Sequence, residues 1–440
     1  MGTAIRKEVL ALFFWLKVWV SICILVGCFA FMSFSVWRFH ENEVLGLNNP
    51  IVIIPGSASC AFGRSGYARL EPPVQRVMYG FSLDWKNDTP TALTTRLNKL
   101  PPAVVNAWIS FDNNGFNGQS ASDLNWFGYE TFLLGVGTIL EITMVPLVDM
   151  STITTATFTN IAQICASINS KYAVPILLRL GHEMNGNWEP YGQRPTEYVA
   201  GYKSMATILR KYTNLTAMVW APNIGTYYPY ASPTAYQQIP PVGTADFKAM
   251  DTNSDGVIDE ADDPYGPYYP GDDYVDWVGI SLYWYPTTFS TVPTPATYVH
   301  DAMLGTGPAI NTVVDANYNL ALHNFYNRFA LQKNKPFCFP ESGAPVIRNG
   351  TAAGAAELNV KQAWWQQTLS ASNFATFPKL KLVVNFEESK IQDTYVQDWS
   401  QTLNPTVRVA FVNDISTTYR SALIMGSQMT FNCDGSVTMV

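Results

Sequence analysis

The sequence is short of charge. Asp, Glu, Lys and Arg make up only 14% of its 440 residues, where an ordinary soluble domain carries roughly a quarter. The balance is acidic, with a net charge of −7. A nucleic-acid partner requires a basic face, so none is expected. There is no internal repeat and no long low-complexity segment. The first apolar run has Gly80 but no glycine-rich phosphate turn after it, which argues against a dinucleotide-binding open sheet. What is present is a hydrophobic share of 48% and an aromatic share of 14%, enough for a large core. Low charge with abundant Trp, Tyr, Asn, Gly and Pro suits an exported protein that handles neutral, ring-shaped ligands.

The first positive signal is at the N-terminus. Residues 18–37, VWVSICILVGCFAFMSFSVW, carry no formal charge, and 20 residues of helix span a bilayer. Arg6, Lys7 and Lys17 precede the run, and Arg38, Glu41 and Glu43 follow it. The positive-inside rule then puts residues 1–17 in the cytosol and the rest of the chain across the membrane. A signal anchor is the expectation, with the rest of the chain lumenal or extracellular. The rival is a signal peptide cleaved near Cys28-Phe29-Ala30, whose apolar region would normally be shorter. Residues 38–70, rich in Gly, Ser, Asn and Pro, read as a stem. Sequons at Asn87, Asn214 and Asn349 fit export. Of six cysteines, Cys23 and Cys28 lie in the apolar run. Cys60, Cys165, Cys338 and Cys433 remain, with three possible pairings, although Cys165 and Cys338 also read as small buried hydrophobes.

Residues 71–440 read as one domain. Eight short apolar runs alternate with helical segments such as Pro195–Lys211 and Ala353–Ser370. The runs occupy 77–85, 103–112, 139–149, 174–185, 217–223, 276–285, 335–343 and 380–388. Nearly continuous apolar character marks strands buried on both faces of a parallel sheet. Eight such units predict an α/β fold of the (β/α)8 TIM-barrel type. Several runs end in Asp84, Trp85, Asp112, Asp149, Glu183, Asn185, Asn223, Tyr283, Glu341 or Glu387, at the barrel face that carries active sites.

Glu183 and Glu341 stand out, because each closes an apolar run where burying a carboxylate is costly. Strands four and seven of a barrel can aim two side chains at one point. Two carboxyl groups about 5–5.5 Å apart are what retaining glycoside hydrolysis needs, one as acid and base, the other as nucleophile. His182 and Asn185 are placed to position a sugar hydroxyl or the Glu183 carboxyl. Arg179 is placed to orient the strand end, and Trp188 offers a flat face to a pyranose. Tyr283 is placed to hydrogen-bond Glu341 and keep it ionised. A structural salt bridge between Arg179 and Glu183 is the competing account of the acid.

RLGHEMNGNWEPYG (179–192) resembles the acid/base motif of glycoside hydrolase family 26, whose members are largely β-mannanases. WAPN (220–223), YPGDDYVDWVGISLYWY (269–285) and KPFCFPESG (335–343) follow in that family's order, and the resemblance spans roughly residues 75 to 425. It implies that Glu183 is the acid/base and Glu341 the nucleophile. It also implies that Arg179, His182, Trp188 and Tyr283 line the subsite of the attacked sugar. Two positions depart from the pattern: Glu341 is followed by Ser342 rather than Phe, and the eighth run has Asn385 where members often carry Trp.

The insertion before the sixth run has Asp251, Asn253, Asp255, Val257, Asp259 and Asp262 at positions 1, 3, 5, 7, 9 and 12 of an EF-hand loop, with Gly256 at the sharp turn. A structural calcium ion is expected there, with no cofactor for catalysis. Taken together, these features predict a retaining endo-hydrolase of a β-linked neutral polysaccharide, and the family resemblance alone puts mannan first. A β-glucanase, a wall-remodelling transglycosylase and a non-catalytic carbohydrate-binding surface protein are the alternatives.

Overall fold

The computed structural model describes residues 66–112, 116, 118–230, 239–285, 292–306, 318–348, 354–392 and 395–440. The expected membrane segment 18–37, all of the stem before residue 66, Cys60 and the Asn349 sequon lie outside the described residues. Among the described residues no helix is long and apolar enough to cross a membrane.

The strands in chain order are β1 (Val77–Leu83), β2 (Val104–Phe111), β3 (Ile139–Pro146), β4 (Ile176–Leu180), β5 (Thr216–Trp220), β6 (Trp277–Gly279), β7 (Leu282–Tyr283) and β8 (Phe337–Gly343). Next come β9 (Val346–Arg348), β10 (Leu380–Glu387), β11 (Ser389–Gln392), β12 (Tyr395–Asp398) and β13 (Leu423–Ile424). Parallel pairing runs from β10 through β1, β2, β3, β4, β5 and β6 to β8, and β8 pairs back onto β10. The result is a closed eight-stranded α/β barrel of the TIM type. All eight apolar runs supply a strand. The sixth is broken: β6 and β7 both pair with β8, on either side of Ile280 and Ser281. Where β6 crosses β8, a Cβ on Gly279 would meet the Cys338 carbonyl oxygen at 2.4 Å, so only glycine fits there.

Every residue of β1, β3 and β10 is buried, as strands covered on both faces must be. One apolar cluster draws Met78, Val104, Ile139, Leu177, Val219, Trp277, Cys338 and Leu382 from all the barrel strands. Each such side chain contributes about 1.5–3 kcal/mol on burial. Leu70 and Ile424 join the cluster at the strands' N-terminal end, where β13 pairs with Val77 and Met78 of β1. Helices cover the outside. Thr154 caps the helix Thr155–Tyr172 through its hydroxyl, and Pro195 opens the helix Pro195–Leu209, both standard starts. The second expected helix is observed as Gly354–Thr368. Beyond the barrel mouth, β9, β11 and β12 form a small antiparallel sheet. Cys165 and Cys338 are free and buried, as apolar residues rather than as bridges. Cys433 is disulfide-bonded, to a partner outside the described residues.

Candidate active site

Arg179 is the centre of the site. It is the fourth residue of β4, points into the barrel and is fully buried. A lone guanidinium there would be prohibitive. Its Nη1 donates to Glu341 Oε2 at 2.7 Å and its Nη2 to Ser281 Oγ at 2.5 Å. The partner of Arg179 is therefore Glu341, across the barrel on β8, and not Glu183 four residues on. Ser281 occupies the break between β6 and β7, and its hydroxyl also reaches Glu341 Oε2 at 3.5 Å. The other oxygen of Glu341 accepts the Tyr283 hydroxyl at 2.7 Å.

Burial alone would raise the pKa of Glu341. The adjacent Arg179 charge and the hydrogen bonds from Arg179 and Tyr283 outweigh it, so the carboxyl is held below its ordinary range. Glu183 has the opposite balance. Burial first, and then the negative charge of Glu341, push it up to about 7 against the pull of Arg179. Two carboxyl groups facing one arginine are thus driven apart, one ionised and one protonated at mildly acid pH.

Glu183 does not lie on the strand, as the apolar run suggested. β4 stops at Leu180, Gly181 turns at φ 60°, and Glu183 sits on the following turn at φ 50°. A left-handed backbone costs a residue with a Cβ roughly 1–2 kcal/mol. The Glu183 N–H bonds to the Ala221 carbonyl at 3.2 Å, which ties the turn to the end of β5. The side chain is aimed by Asn223, whose Nδ2 donates to Glu183 Oε1 at 2.7 Å. Asn223 is itself fixed, because its Oδ1 accepts the Tyr230 hydroxyl at 3.0 Å.

The remaining expected residues divide by contact. Asn185 is fully buried, and its amide binds the backbone N–H and C=O of Asn223, each at 2.9 Å. It serves Glu183 through Asn223 rather than facing a ligand. The His182 ring stands edge-on to Trp108 at 4.8 Å, and its Nδ1 meets the Tyr191 hydroxyl at 3.0 Å. Burial and the charge of Arg179 push it down to about 3, so the imidazole is neutral. Trp188 is 36% exposed and lies edge-on to Tyr230 at 5.0 Å. Asn385 carries no ring to a ligand. Its Nδ2 donates to Glu387 Oε2 at 3.0 Å. The indole beside β8 is Trp399, from beyond β12. It packs edge-on to Phe386 at 5.3 Å and lies within 3.0 Å of where a Cβ on Gly343 would sit.

Sequence reasoning did not single out Ser281 or the buried Glu141. Ser281 belongs to the motif ISLYWY, and its signal was a small hydroxyl residue interrupting an apolar run. Glu141, the third residue of β3, was another acid inside an apolar run.

The insertion 251–262 turns at Ser254 (φ 63°) and Gly256 (φ 87°). The Asp251 carboxylate accepts the N–H groups of Asp255 and Gly256 at 3.1 and 3.0 Å. Asp262 is fully buried and takes the N–H groups of Thr252 and Asp259 at 2.6 and 3.0 Å. Among the described residues no group of three or more His, Cys, Asp or Glu side chains is arranged to hold a metal ion.

Residues 142–321 match the family model described as glycosyl hydrolase family 26. That stretch contains Arg179 and Glu183 and stops short of Glu341. No curated protein matches the chain. Among solved structures, GH26C from Muricauda sp. is similar at 13% identity and a TM-score of 0.49, over 81% of this chain and 88% of that one. A Cellulomonas fimi endo-β-1,4-mannanase double mutant gives 14% and 0.48, over 82% and 74%. The catalytic domain of a Bacillus sp. endo-β-1,4-mannanase gives 14% and 0.48, over 84% and 96%. Over that stretch, whose segment 179–192 lies at the mouth of a closed barrel, the chain is similar to glycosyl hydrolase family 26, and the match supports a glycoside hydrolase.

Proposed function

We propose that the protein is a retaining endo-hydrolase of a β-linked neutral polysaccharide, and that the polymer is β-1,4-mannan. One observation supports the chemistry above the others: Glu183 and Glu341 face the same arginine with opposite proton affinities. In this reading Glu341 attacks the anomeric carbon while Glu183 passes its proton to the departing glycosidic oxygen. The sugar is left as an ester of Glu341. Glu183, now a carboxylate, takes a proton from water, and the hydroxide oxygen displaces Glu341 with a second inversion. Arg179 and Tyr283 hold the nucleophile before attack and accept its charge again at the end. Asn223 keeps the Glu183 carboxyl pointed at the scissile oxygen. Neutral His182 and exposed Trp188 line the sugar site. Mannan leads because the acid/base motif resembles that of a family whose members are largely β-mannanases.

The test is a product profile on mannan, mixed-linkage glucan and xylan, with proton NMR of the first anomer released and Glu183→Ala and Glu341→Ala as controls. Cleavage of mannan with a β-anomer first is expected. Glucan cleavage alone would move the protein to the glucanases, and products longer than the substrate would make it a transglycosylase. Wild type indistinguishable from both variants on every polymer would remove the enzymatic reading.

We infer also that the loop 251–262 takes a calcium ion through Asp251, Asn253, Asp255, Val257, Asp259 and Asp262. The left-handed turns at Ser254 and Gly256 favour this, because a loop of that pattern needs a sharp turn at its sixth position. The fit is incomplete, since Asp262 binds backbone N–H groups, and the loop has to tighten for it to join. Absence of heat on calcium titration, together with a melting temperature indifferent to chelator, would rule the ion out. The apolar run 18–37 is proposed as a tether holding the catalytic barrel outside the cytosol; release into the aqueous phase by alkaline carbonate would refute it.

A further inference from the structure

The proposed reaction uses Glu183, Glu341 and Arg179. A third acid lies beneath them and has no part in it. Glu141 is on β3, two residues before Thr143, which is the register partner of Arg179. It therefore shares the face of the barrel wall that Arg179 occupies, one layer deeper. It is fully buried, and neither carboxyl oxygen makes a hydrogen bond of good geometry. The Asn106 side chain beside it on β2 accepts Ser82 Oγ at 2.9 Å and donates to Thr143 Oγ1 at 3.1 Å. The guanidinium above is also incompletely partnered. Its two Nη atoms take Glu341 and Ser281, and its Nε has no partner.

A carboxylate in such a place is strongly disfavoured, because burial removes its hydration and the Arg179 charge and the approach of the Asn106 amide only partly offset that loss. The titratable groups facing it are Arg179 from β4, and Cys338 and Glu341 from β8. Burial leads and, with the negative charge of Glu341, pushes Glu141 up to about 8 against the pull of Arg179 and of the nearby Asn106 amide. With Glu141 neutral, the buried set holds one positive charge, on Arg179, and one negative charge, on Glu341. With Glu141 ionised, the arginine would have a second anion below it competing with the nucleophile above.

We propose that Glu141 is a neutral carboxylic acid that positions Arg179 for the nucleophile, and that its ionisation draws the arginine off Glu341. It is a positioning residue, acting through Arg179 and touching no substrate. The proposal rests on Glu341 being the nucleophile, so its test has one arm that needs no turnover.

The first arm is infrared difference spectroscopy in a Glu183→Gln background at neutral pH, comparing Glu141 with Glu141→Gln. A protonated-carboxyl stretch present in the first and missing in the second is expected. The second arm is the pH profile of kcat/KM for 2,4-dinitrophenyl β-mannobioside and its gluco counterpart. Their leaving group departs without a proton, so loss of the Glu183 proton does not limit attack. The wild type should decline above about pH 8, and Glu141→Gln should move that decline up by at least one pH unit. A merely structural Glu141 would leave the profile in place. Glu141→Leu repeats both arms if the glutamine variant does not fold. No change in the carboxyl band, or superimposable alkaline limbs, would overturn the proposal. Inactivity on both glycosides with the band difference present would count against the enzymatic reading and uphold neutral Glu141.

Discussion

Tyr283→Phe isolates the lowered proton affinity of Glu341. The substitution removes one hydroxyl, 2.7 Å from Glu341 Oε1, and leaves the ring that packs near Phe386 and Trp399. A hydrogen bond to a charged group contributes about 1.5–3 kcal/mol, and 1.36 kcal/mol corresponds to one pKa unit. The ceiling is therefore about two units upward for Glu341. Tyr283 is half-buried, so water can partly replace the hydroxyl, and about one unit is expected. The sign follows from which form the bond favours. The phenol donates to the carboxylate, so its loss raises the pKa of Glu341. The assay is kcat/KM against pH on an unactivated oligosaccharide, which reports the free enzyme's ionisations. The acid limb belongs to Glu341, which must be ionised, and the alkaline limb near 7 to Glu183, which must be protonated. In Tyr283→Phe the acid limb should climb by about one unit while the alkaline limb stays, narrowing the bell from its acid side. An acid limb that stays put or moves down would refute the assignment of Tyr283 as the donor that keeps Glu341 ionised.

Asn223→Ala removes a donor to Glu183 Oε1, so the alkaline limb should rise above 7 and deglycosylation should slow; an unchanged limb would contradict the contact. Arg179→Ala leaves Glu341 buried without its cation, and removing one partner of such a pair costs about 3–5 kcal/mol, readable as a lower urea midpoint with an unchanged m-value. Glu341→Ala should abolish turnover of activated aryl glycosides and polymer alike, whereas Glu183→Ala should lose the polymer and keep part of the aryl glycoside rate; equal losses on both substrates would reverse the roles. Glu141 and Glu183 have folded pKa values of about 8 and about 7, raised from 4.5, so the stability linked to them is present below pH 4.5 and lost as pH rises through those values. Melting temperature in Glu141→Gln should accordingly depend less steeply on pH between 5 and 8 than in the wild type.

The barrel was legible because parallel strands buried on both faces must be nearly all apolar, and the eight runs kept that character along their length. Glu341 was legible for the same reason: it is the one acid inside the run that became β8. The placement of Glu183 was not, because the apolar pattern gives no sign that β4 stops at Leu180 and that a left-handed turn carries the acid. Nor does spacing along one strand disclose that Arg179 would choose a carboxylate 162 residues away over one four residues away. Asn185 read as a ligand contact because it is polar and beside the acid, and only the fold shows its amide occupied at both ends. The absence of Trp at position 385 was visible, but the indole at Trp399, supplied from beyond a separate sheet, was not.

The register of β1 has a consequence for how the chain is made. Its two wall neighbours are β2, which follows closely, and β10, which begins only at Leu380, while β13 adds a further rung at Leu423. Until synthesis reaches β10, the first strand keeps one open edge, and such edges invite wrong partners. For most of its synthesis the nascent barrel is therefore an unclosed sheet, and that edge has to be shielded until β10 arrives. Truncation anywhere before Leu380 should yield aggregates rather than a smaller enzyme, whatever part of the catalytic pair it retains.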